Sequence, residues 1–246
     1  MLQNNKLSIV TINYKNLNGL ISTYNSIDSQ NNREHVEWIV IDGKSDDGTL
    51  KWLINLSPIF PLKFISEKDS GIYNAMNKGV FHSRNEYTIF LNSGDTFIDK
   101  YSIDHIIHNI KSAKDIDLFL FGFKYINKLH FPRPLWWRYW SMPTSHQALV
   151  YSTKLLLLNL YNETYARGGD FEHLLRIVPK LKRFKSIPVI LSINEEYGSN
   201  VNMNIIRDEY EQILSAHIPA FLSKILVNTK FFYLNLRNKL EKNIHN

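Results

Sequence analysis

Along the first half of the chain, apolar residues fall into short dense runs separated by longer amphipathic stretches. This is the rhythm of strands joined by single helices. Leu7–Asn13 reads as a strand, and Leu17, Leu20, Ile21, Tyr24 and Ile27 follow it at helical spacing. Val36–Asp42 (VEWIVID) is apolar at nearly every position, as in a strand covered on both faces. Asp46 or Asp47 can cap a helix carrying Leu50, Leu53 and Leu56. Leu62–Ser66 is the next strand, and a helix starting near Asp69-Ser70-Gly71 presents Ile72, Met76 and Val80. Tyr87–Asn92, residues 102–112 and Ile116–Phe123 continue as strand, helix and strand. The pattern predicts an α/β fold, a Rossmann-like, mostly parallel sheet flanked by helices.

The second half is less regular. Residues 124–145 carry Pro132, Pro134 and Pro143 around the bulky run Trp136-Trp137-Arg138-Tyr139-Trp140. That run is either a stacking wall for a ring or core beneath a loop. Helical spacing returns at 153–160 and 170–178, a strand is expected at Ser186–Ile193, and Pro219 to Lys242 reads as helix. Leu222, Ile225, Phe232, Leu236 and Leu240 form the apolar stripe of that last helix, beside Lys224, Lys230, Arg237, Lys239 and Lys242. We expect one α/β domain over residues 1–200, in two halves meeting near 123, and a C-terminal helical extension over 201–246.

Composition narrows the chemistry. The 246 residues include no cysteine, which excludes disulfides, thiolate metal sites and cysteine nucleophiles. Charge is uneven: residues 1–123 sum to −2 and residues 124–246 to +8, so the first half suits a cation and the second an anionic surface or ligand. No nucleic-acid-binding motif accompanies the basic balance, and no such partner is expected. The first residues lack the apolar segment of a signal peptide, and no apolar run reaches the ~18 residues of a membrane span. A cytoplasmic protein is expected, with the basic C-terminal helix either docking peripherally on the inner membrane face or packing on the domain or on a second subunit.

Three polar loops follow three successive strands: Asp42-Gly43-Lys44-Ser45-Asp46-Asp47-Gly48-Thr49, Glu67-Lys68-Asp69-Ser70-Gly71-Ile72-Tyr73-Asn74, and Asn92-Ser93-Gly94-Asp95. Each alone is ordinary turn and cap chemistry. In a parallel sheet all three share one edge, where α/β folds bind ligands, so their acidic groups should converge. A hard divalent cation with a diphosphate suits such an oxygen-rich edge. No G-x-G-x-x-G follows the first strand, against a dinucleotide enzyme, and Asn13-Tyr14-Lys15-Asn16 is not the glycine-rich basic loop of a nucleotidyltransferase.

The order Leu7–Asn13, IDGKSDDGT (Ile41–Thr49), EKDSGIYNAMNKG (Glu67–Gly79), LNSGD (Leu91–Asp95) resembles glycosyltransferase family 2, the inverting nucleotide-sugar enzymes of the GT-A fold. SHQALVY (Ser145–Tyr151), YNETYARGGDFEHLLR (Tyr161–Arg176) and EYGSN (Glu196–Asn200) extend the resemblance toward the subgroup that builds bacterial surface polysaccharides. It implies transfer of a sugar from a nucleoside diphosphate donor, UDP above all, to a glycan or lipid-linked glycan acceptor. Residues 1–123 would then be the nucleotide-sugar half of a catalytic domain and 124–200 the acceptor half. Thr11, Asn13, Asp42 and Asp69 would hold the nucleotide, Asp95 would bind Mg2+ or Mn2+, and Asn92 would serve metal or donor sugar. Asp170 would be the catalytic base, with Glu172 as its substitute and helix capping as its plainer role. His146 and Gln147 could line the acceptor or sugar pocket or be structural. Lys78 could reach a phosphate or stay solvated. Asn92 departs from the usual acidic pair, and a relative that binds nucleotide-sugar with weak catalysis is the alternative. A homo-oligomer is compatible with all of this.

Overall fold

The computed structural model describes residues 6–195 and 203–244. The first half alternates β1 (Leu7–Asn13), α1 (Leu17–Asp28), β2 (Val36–Asp42), α2 (Thr49–Asn55), β3 (Leu62–Ser66), α3 (Ile72–His82) and β4 (Tyr87–Phe90). There follow β5 (Thr96–Phe97), α4 (Ser102–Ser112), β6 (Leu118–Tyr125), β7 (Lys128–His130) and β8 (Leu149–Ser152). Last come α5 (Thr153–Leu158), α6 (Gly169–Ile177), β9 (Phe184–Asn194), α7 (Met203–Ser215) and α8 (Ala220–Ile244).

One sheet has the order β3-β2-β1-β4-β8-β6-β9-β5, with β7 paired to β6. Its β3-β2-β1-β4 half is parallel, as the apolar runs predict. Beyond β4 the sheet is mixed, because β8 runs antiparallel to both β4 and β6 while β6 and β9 are parallel.

The period of two along each strand sorts side chains into two cores. Leu7, Ile9, Trp38, Val40, Phe119 and Phe121 meet α1, α2 and α4 on one face. Val10, Ile39, Ile41, Phe90, Leu118 and Leu120 meet α3, α5 and α6 on the other. Each fully buried side chain of this kind contributes about 1.5–3 kcal/mol relative to exposure. At Gly79 the helix α3 lies so close to β1 that a Cβ would fall 2.3 Å from Val10 Cγ1.

A third cluster joins Phe171 and Leu175 of α6 to Tyr210, Ile213 and Leu214 of α7 and Val227 and Phe231 of α8. The C-terminal helices are thereby tied to the element that carries Asp170. The stripe predicted for α8 is its outward face: Ile225 is 57% and Phe232 70% exposed, and Leu222 and Leu236 are exposed beside them. Lys230 is not on that face; it turns inward over the Tyr210 ring, 3.7 Å from its centroid. The side chains of Lys239, Leu240 and Lys242, like the EYGSN segment, lie outside the described residues. Among the described residues no helix is long and apolar enough to cross a membrane.

Candidate functional site

Strand order reverses between β1 and β4, since the chain builds outward to β3 before returning to the other side of β1. Such a reversal opens a crevice at the carboxyl ends of the strands. Here a cavity of about 600 Å3 is lined by residues including Asn13, Tyr14, Asp69, Asn92, Asp95 and Glu195. The three polar loops do converge.

Strand register sets the floor of this crevice, because Asn13 pairs with Asp42 and Asp42 with Ser66. Asp42 is fully buried and accepts four hydrogen bonds: from Asn13 Nδ2 (2.8 Å), from the Ser45 backbone N–H (3.0 Å) and Oγ (2.5 Å), and from Ser66 Oγ (2.6 Å). Its charge is spent on holding the 42–49 loop. Thr11, expected at the nucleotide, is instead turned into the core. Its Oγ1 donates to the Leu91 carbonyl at 2.7 Å and accepts from Trp38 Nε1 at 2.9 Å.

Asn13 and Asp69 remain on the cavity wall. Lys78, with 23% of its side chain exposed, pairs with Asp69 at 2.6 Å and Glu67 at 2.7 Å. Tyr14, not singled out in the sequence, is 65% exposed at the cavity and packs on Gly43, where a Cβ would meet its ring at 2.9 Å. An aromatic residue directly after a strand end was the available signal.

The loop after β4 is clamped by α1. Thr23 Oγ1 donates to the carbonyl of Asp95 (2.8 Å) and accepts from the Gly94 N–H (3.0 Å). Gly94 has φ +98°, and a Cβ there would strike the Glu195 carboxylate at 2.1 Å, so the position requires glycine. The Asp95 carboxylate is nearly buried, and burial raises its pKa above the usual carboxylate range against the opposing effect of two hydrogen bonds. Those come from the Glu195 backbone N–H to Oδ1 (2.8 Å) and from Gln147 Nε2 to Oδ2 (2.7 Å). Gln147 is itself oriented by Asn194 Nδ2 and Ser145 Oγ, which bond its Oε1. It therefore supports Asp95 instead of lining an acceptor pocket.

Asn92 presents the complementary feature. Its Nδ2 donates to His146 Nε2 at 3.1 Å, and its Oδ1 is buried with no partner. With Nε2 accepting, the ring proton of His146 sits on Nδ1, which faces Asp170 Oδ2 at 3.7 Å. One imidazole thus spans the gap between the β4 loop and α6. Asp170 lies in the first turn of α6, where its Oδ1 accepts from the Phe171 N–H (2.9 Å) and from the Tyr73 hydroxyl (3.4 Å). Asp170 is not the helix cap, a position that falls to Gly168; a quarter of its side chain (27%) is open, and it borders a second cavity of about 430 Å3. Burial drives the Tyr73 hydroxyl far above its ordinary pKa, so it stays a donor. Glu172 does not stand in for Asp170, because it is buried and held by Arg176 at 2.8 and 3.2 Å.

Trp136, Trp137 and Trp140 are neither core nor a wall of either cavity above. They line a third cavity of about 780 Å3 together with Arg133, Lys230 and Tyr233. Glu195, absent from the sequence reading, closes the donor crevice beside Gly94 and Asn16. It adjoins the EYGSN motif, which was the one hint. Among the described residues no three His, Asp or Glu side chains form a protein cage for a metal. Asn92 and Asp95 both border the crevice, so the donor set there is oxygen only, and Asn92 Oδ1 has no partner. That set fits a hard cation held mostly by diphosphate and water.

The family model described as glycosyl transferase family 2 matches residues 8–166. Two Mycobacterium tuberculosis proteins, named as uncharacterized glycosyltransferases MT1564 and Rv1514c, are each 40% identical to this chain over 91 residues. That match covers 37% of this chain and 34% of theirs, so it spans about a third of those relatives. S. aureus TarS 1–349 in complex with UDP-GlcNAc superposes with a TM-score of 0.68 at 18% identity, covering 92% of this chain and 71% of that one. The mannosyltransferase PcManGT from Pyrobaculum calidifontis, in complex with GDP-Man and Mn2+, gives 0.68 at 14% identity over 93% and 70%. These likenesses establish the GT-A architecture, and with the family match covering well over half of its length, the chain belongs to glycosyltransferase family 2.

Proposed function

We propose that this glycosyltransferase inverts the anomeric carbon as it moves a sugar from a nucleoside diphosphate, UDP by preference, to a hydroxyl of a glycan or lipid-linked glycan in bacterial surface-polysaccharide synthesis. The observation that carries the reading is the Asn92–His146–Asp170 line. It joins the loop after β4 to the partly exposed carboxylate of Asp170 at the start of α6. UDP, UDP-GlcNAc and GDP-Man occupy structural neighbours of this chain. That supports a nucleotide-sugar donor here.

In this reading Tyr14 offers its ring to the nucleobase, and Asn13 and Asp69 meet the uridine. Asp42 and Thr11 hold the frame. Asn92 and Asp95 would hold Mg2+ or Mn2+, which when bound offsets the charge developing on the leaving diphosphate. The acceptor oxygen attacks C1 from the side away from the diphosphate, the C1–O bond to phosphate breaks, and the hydroxyl proton passes to Asp170. His146 keeps that carboxylate turned toward the acceptor while its other nitrogen keeps the Asn92 amide turned toward the donor. Asp170→Asn should lower transfer by the 10²–10⁴-fold typical of a lost base while leaving UDP binding intact. Turnover near that of the parent would remove Asp170 from the mechanism.

Two companion readings rest on particular observations. Both Asp95 oxygens are engaged by protein donors, which favours weak metal dependence, and a protein that binds UDP-sugar yet transfers to no acceptor would be the catalytically weak relative. The exposed apolar stripe of α8, bordered by Lys224, suits an anionic lipid surface. Ile225→Ser with Phe232→Ser should move the protein from pellet to supernatant on vesicles containing phosphatidylglycerol. These positions face outward, so the third core survives the change. Unaltered sedimentation would sink the membrane assignment.

A further inference from the structure

The cavity that Asp170 borders has an unusual charge balance. Asp170 is the only acid among its described lining residues, against Arg133, Arg167, His130 and Lys230. No ion pair with a carboxylate is found for Arg133, Arg167 or Lys230 among the described residues, although seven ion pairs form elsewhere. For Arg133 and Lys230 the neighbours are aromatic instead. Arg133 lies 4.8 Å from the Trp137 ring centroid, and Lys230 rests on Tyr210, which stacks on Phe171. Burial lowers Lys230 to about 8, and burial followed by the charge of Arg133 lowers His130. Arg133 and Arg167 are exposed, but Lys230 is largely desolvated, and a desolvated cation without a counter-charge is costly unless something supplies one.

The apolar remainder is equally specific. Met142, Phe131 and Ile206 line the same cavity. Arg133, Ser141 and Lys230 form its boundary with the tryptophan-lined cavity, so the two adjoin across the cations. The arrangement runs from a carboxylate, past a cluster of cations, to an indole-rich surface beside the exposed face of α8.

We propose that this cavity is an acceptor subsite for a phosphoryl-bearing substrate, whose phosphate oxygens meet Arg133, Arg167 and Lys230 while its hydroxyl reaches Asp170. The inference rests on the glycosyltransferase reading and narrows it from any glycan to a phosphorylated one. Guanidinium groups at the mouth and an ammonium at the depth match the planar and point-charge modes by which proteins grip phosphate. The source of the phosphate is either a soluble phosphate ester or a lipid diphosphate whose chain lies over Trp136, Trp137 and Trp140.

The test loads the full chain with UDP and Mn2+, so that the donor crevice is filled, and titrates inorganic pyrophosphate and farnesyl diphosphate by calorimetry. Pyrophosphate should bind the parent protein, with its dissociation constant raised at least tenfold by Lys230→Met and by Arg133→Gln and that of UDP unchanged in both. Methionine keeps the stem of Lys230 and removes a desolvated charge, so the variant should fold. Farnesyl diphosphate binding tenfold tighter than pyrophosphate would assign a lipid-linked acceptor, and equal binding a soluble one; either supports the subsite. No pyrophosphate binding by the loaded parent, or binding that both variants leave unaltered, would overturn it. If UDP itself fails to bind, the glycosyltransferase reading fails on its own evidence. The dependence of pyrophosphate binding on Lys230 and Arg133 is then read on the unloaded protein and still decides the matter.

Discussion

Replacing Gln147 by Glu changes one nitrogen to oxygen at a buried position 2.7 Å from Asp95 Oδ2. The Oε1 side of the group, bonded by Asn194 and Ser145, keeps its acceptor. What changes is that a donor becomes a second carboxylate, and two ionised oxygens at that separation repel by about 6 kcal/mol at an effective dielectric of about 20. The protein avoids this by keeping one proton between them, so the pair titrates as a unit with one pKa driven up. An unfolded Glu gives up that proton near pH 4.3. Holding it at pH 7 costs about 1.4 kcal/mol for each unit above that value, or about 4 kcal/mol, falling to about 1 kcal/mol at pH 5.

The sign follows from the raised folded-state pKa. Stability of the variant is fully present below the unfolded value and is lost as pH rises toward the folded one. For a chain of this length each kcal/mol moves the melting temperature by about 2–4 °C. Gln147→Glu should therefore melt about 8–16 °C below the parent at pH 7 and within about 4 °C of it at pH 5. Scanning calorimetry at both values measures this directly. A deficit of equal size at the two pH values, or none at pH 7, would show that Gln147 does not buttress a buried ionised Asp95.

Gly169→Ala would place a Cβ 2.6–2.8 Å from three atoms of the Tyr73 ring. Tyr73 is buried against Tyr161 and cannot yield cheaply, so α6 and Asp170 must shift; displacement on the order of 1 Å costs about 10²-fold in kcat, with UDP affinity unchanged. His173 is fully buried, donates to the Asn159 carbonyl, and is lowered by burial to about 3. Its neutral form stabilises the fold above pH 6.5, and stability should fall by up to about 1.4 kcal/mol per unit as pH drops from there toward 3. Denaturant midpoints at pH 6.5 and 4.5 should show less of this slope in His173→Phe.

The parallel half of the sheet was legible because strands buried on both faces announce themselves in apolar runs, as β1 and β2 do, while β3, half-buried throughout at the sheet edge, still showed Leu62, Phe64 and Ile65. The mixed half was not, since pairing of β8 with β4 and β6 depends on residues some sixty and thirty positions apart, which no local pattern encodes. β5 and β7, two and three residues long, are too short to show a period. Thr11, expected at the nucleotide, lies with Leu7 and Ile9 in the core, where the Leu91 carbonyl and the Trp38 ring N–H take up its hydroxyl. Asp69 and Asp95 were legible as loop carboxylates after strands, and Asp170 as a helix-start carboxylate. Their partners were not, because Gln147, Glu195 and Tyr73 reach them from distant parts of the chain.

Asn92 brings these threads to one substitution. By sequence it is a missing carboxylate; in the fold its amide is the donor that fixes the tautomer of His146, and its oxygen is the one left free for the donor crevice. Asn92→Asp supplies the acid that the resemblance leads one to expect, and should tighten Mn2+ binding in the presence of UDP, since a second anionic oxygen then stands before Asp95. It also removes the amide N–H, so His146 Nε2 loses its donor and faces a carboxylate in its place. The imidazole that faces Asp170 Oδ2 at 3.7 Å is then no longer held in one tautomer, and the carboxylate loses its orientation toward the acceptor hydroxyl. Binding should therefore improve while kcat falls. If instead kcat rises together with Mn2+ affinity, the Asn92–His146 contact is incidental and the base acts independently of the donor loop.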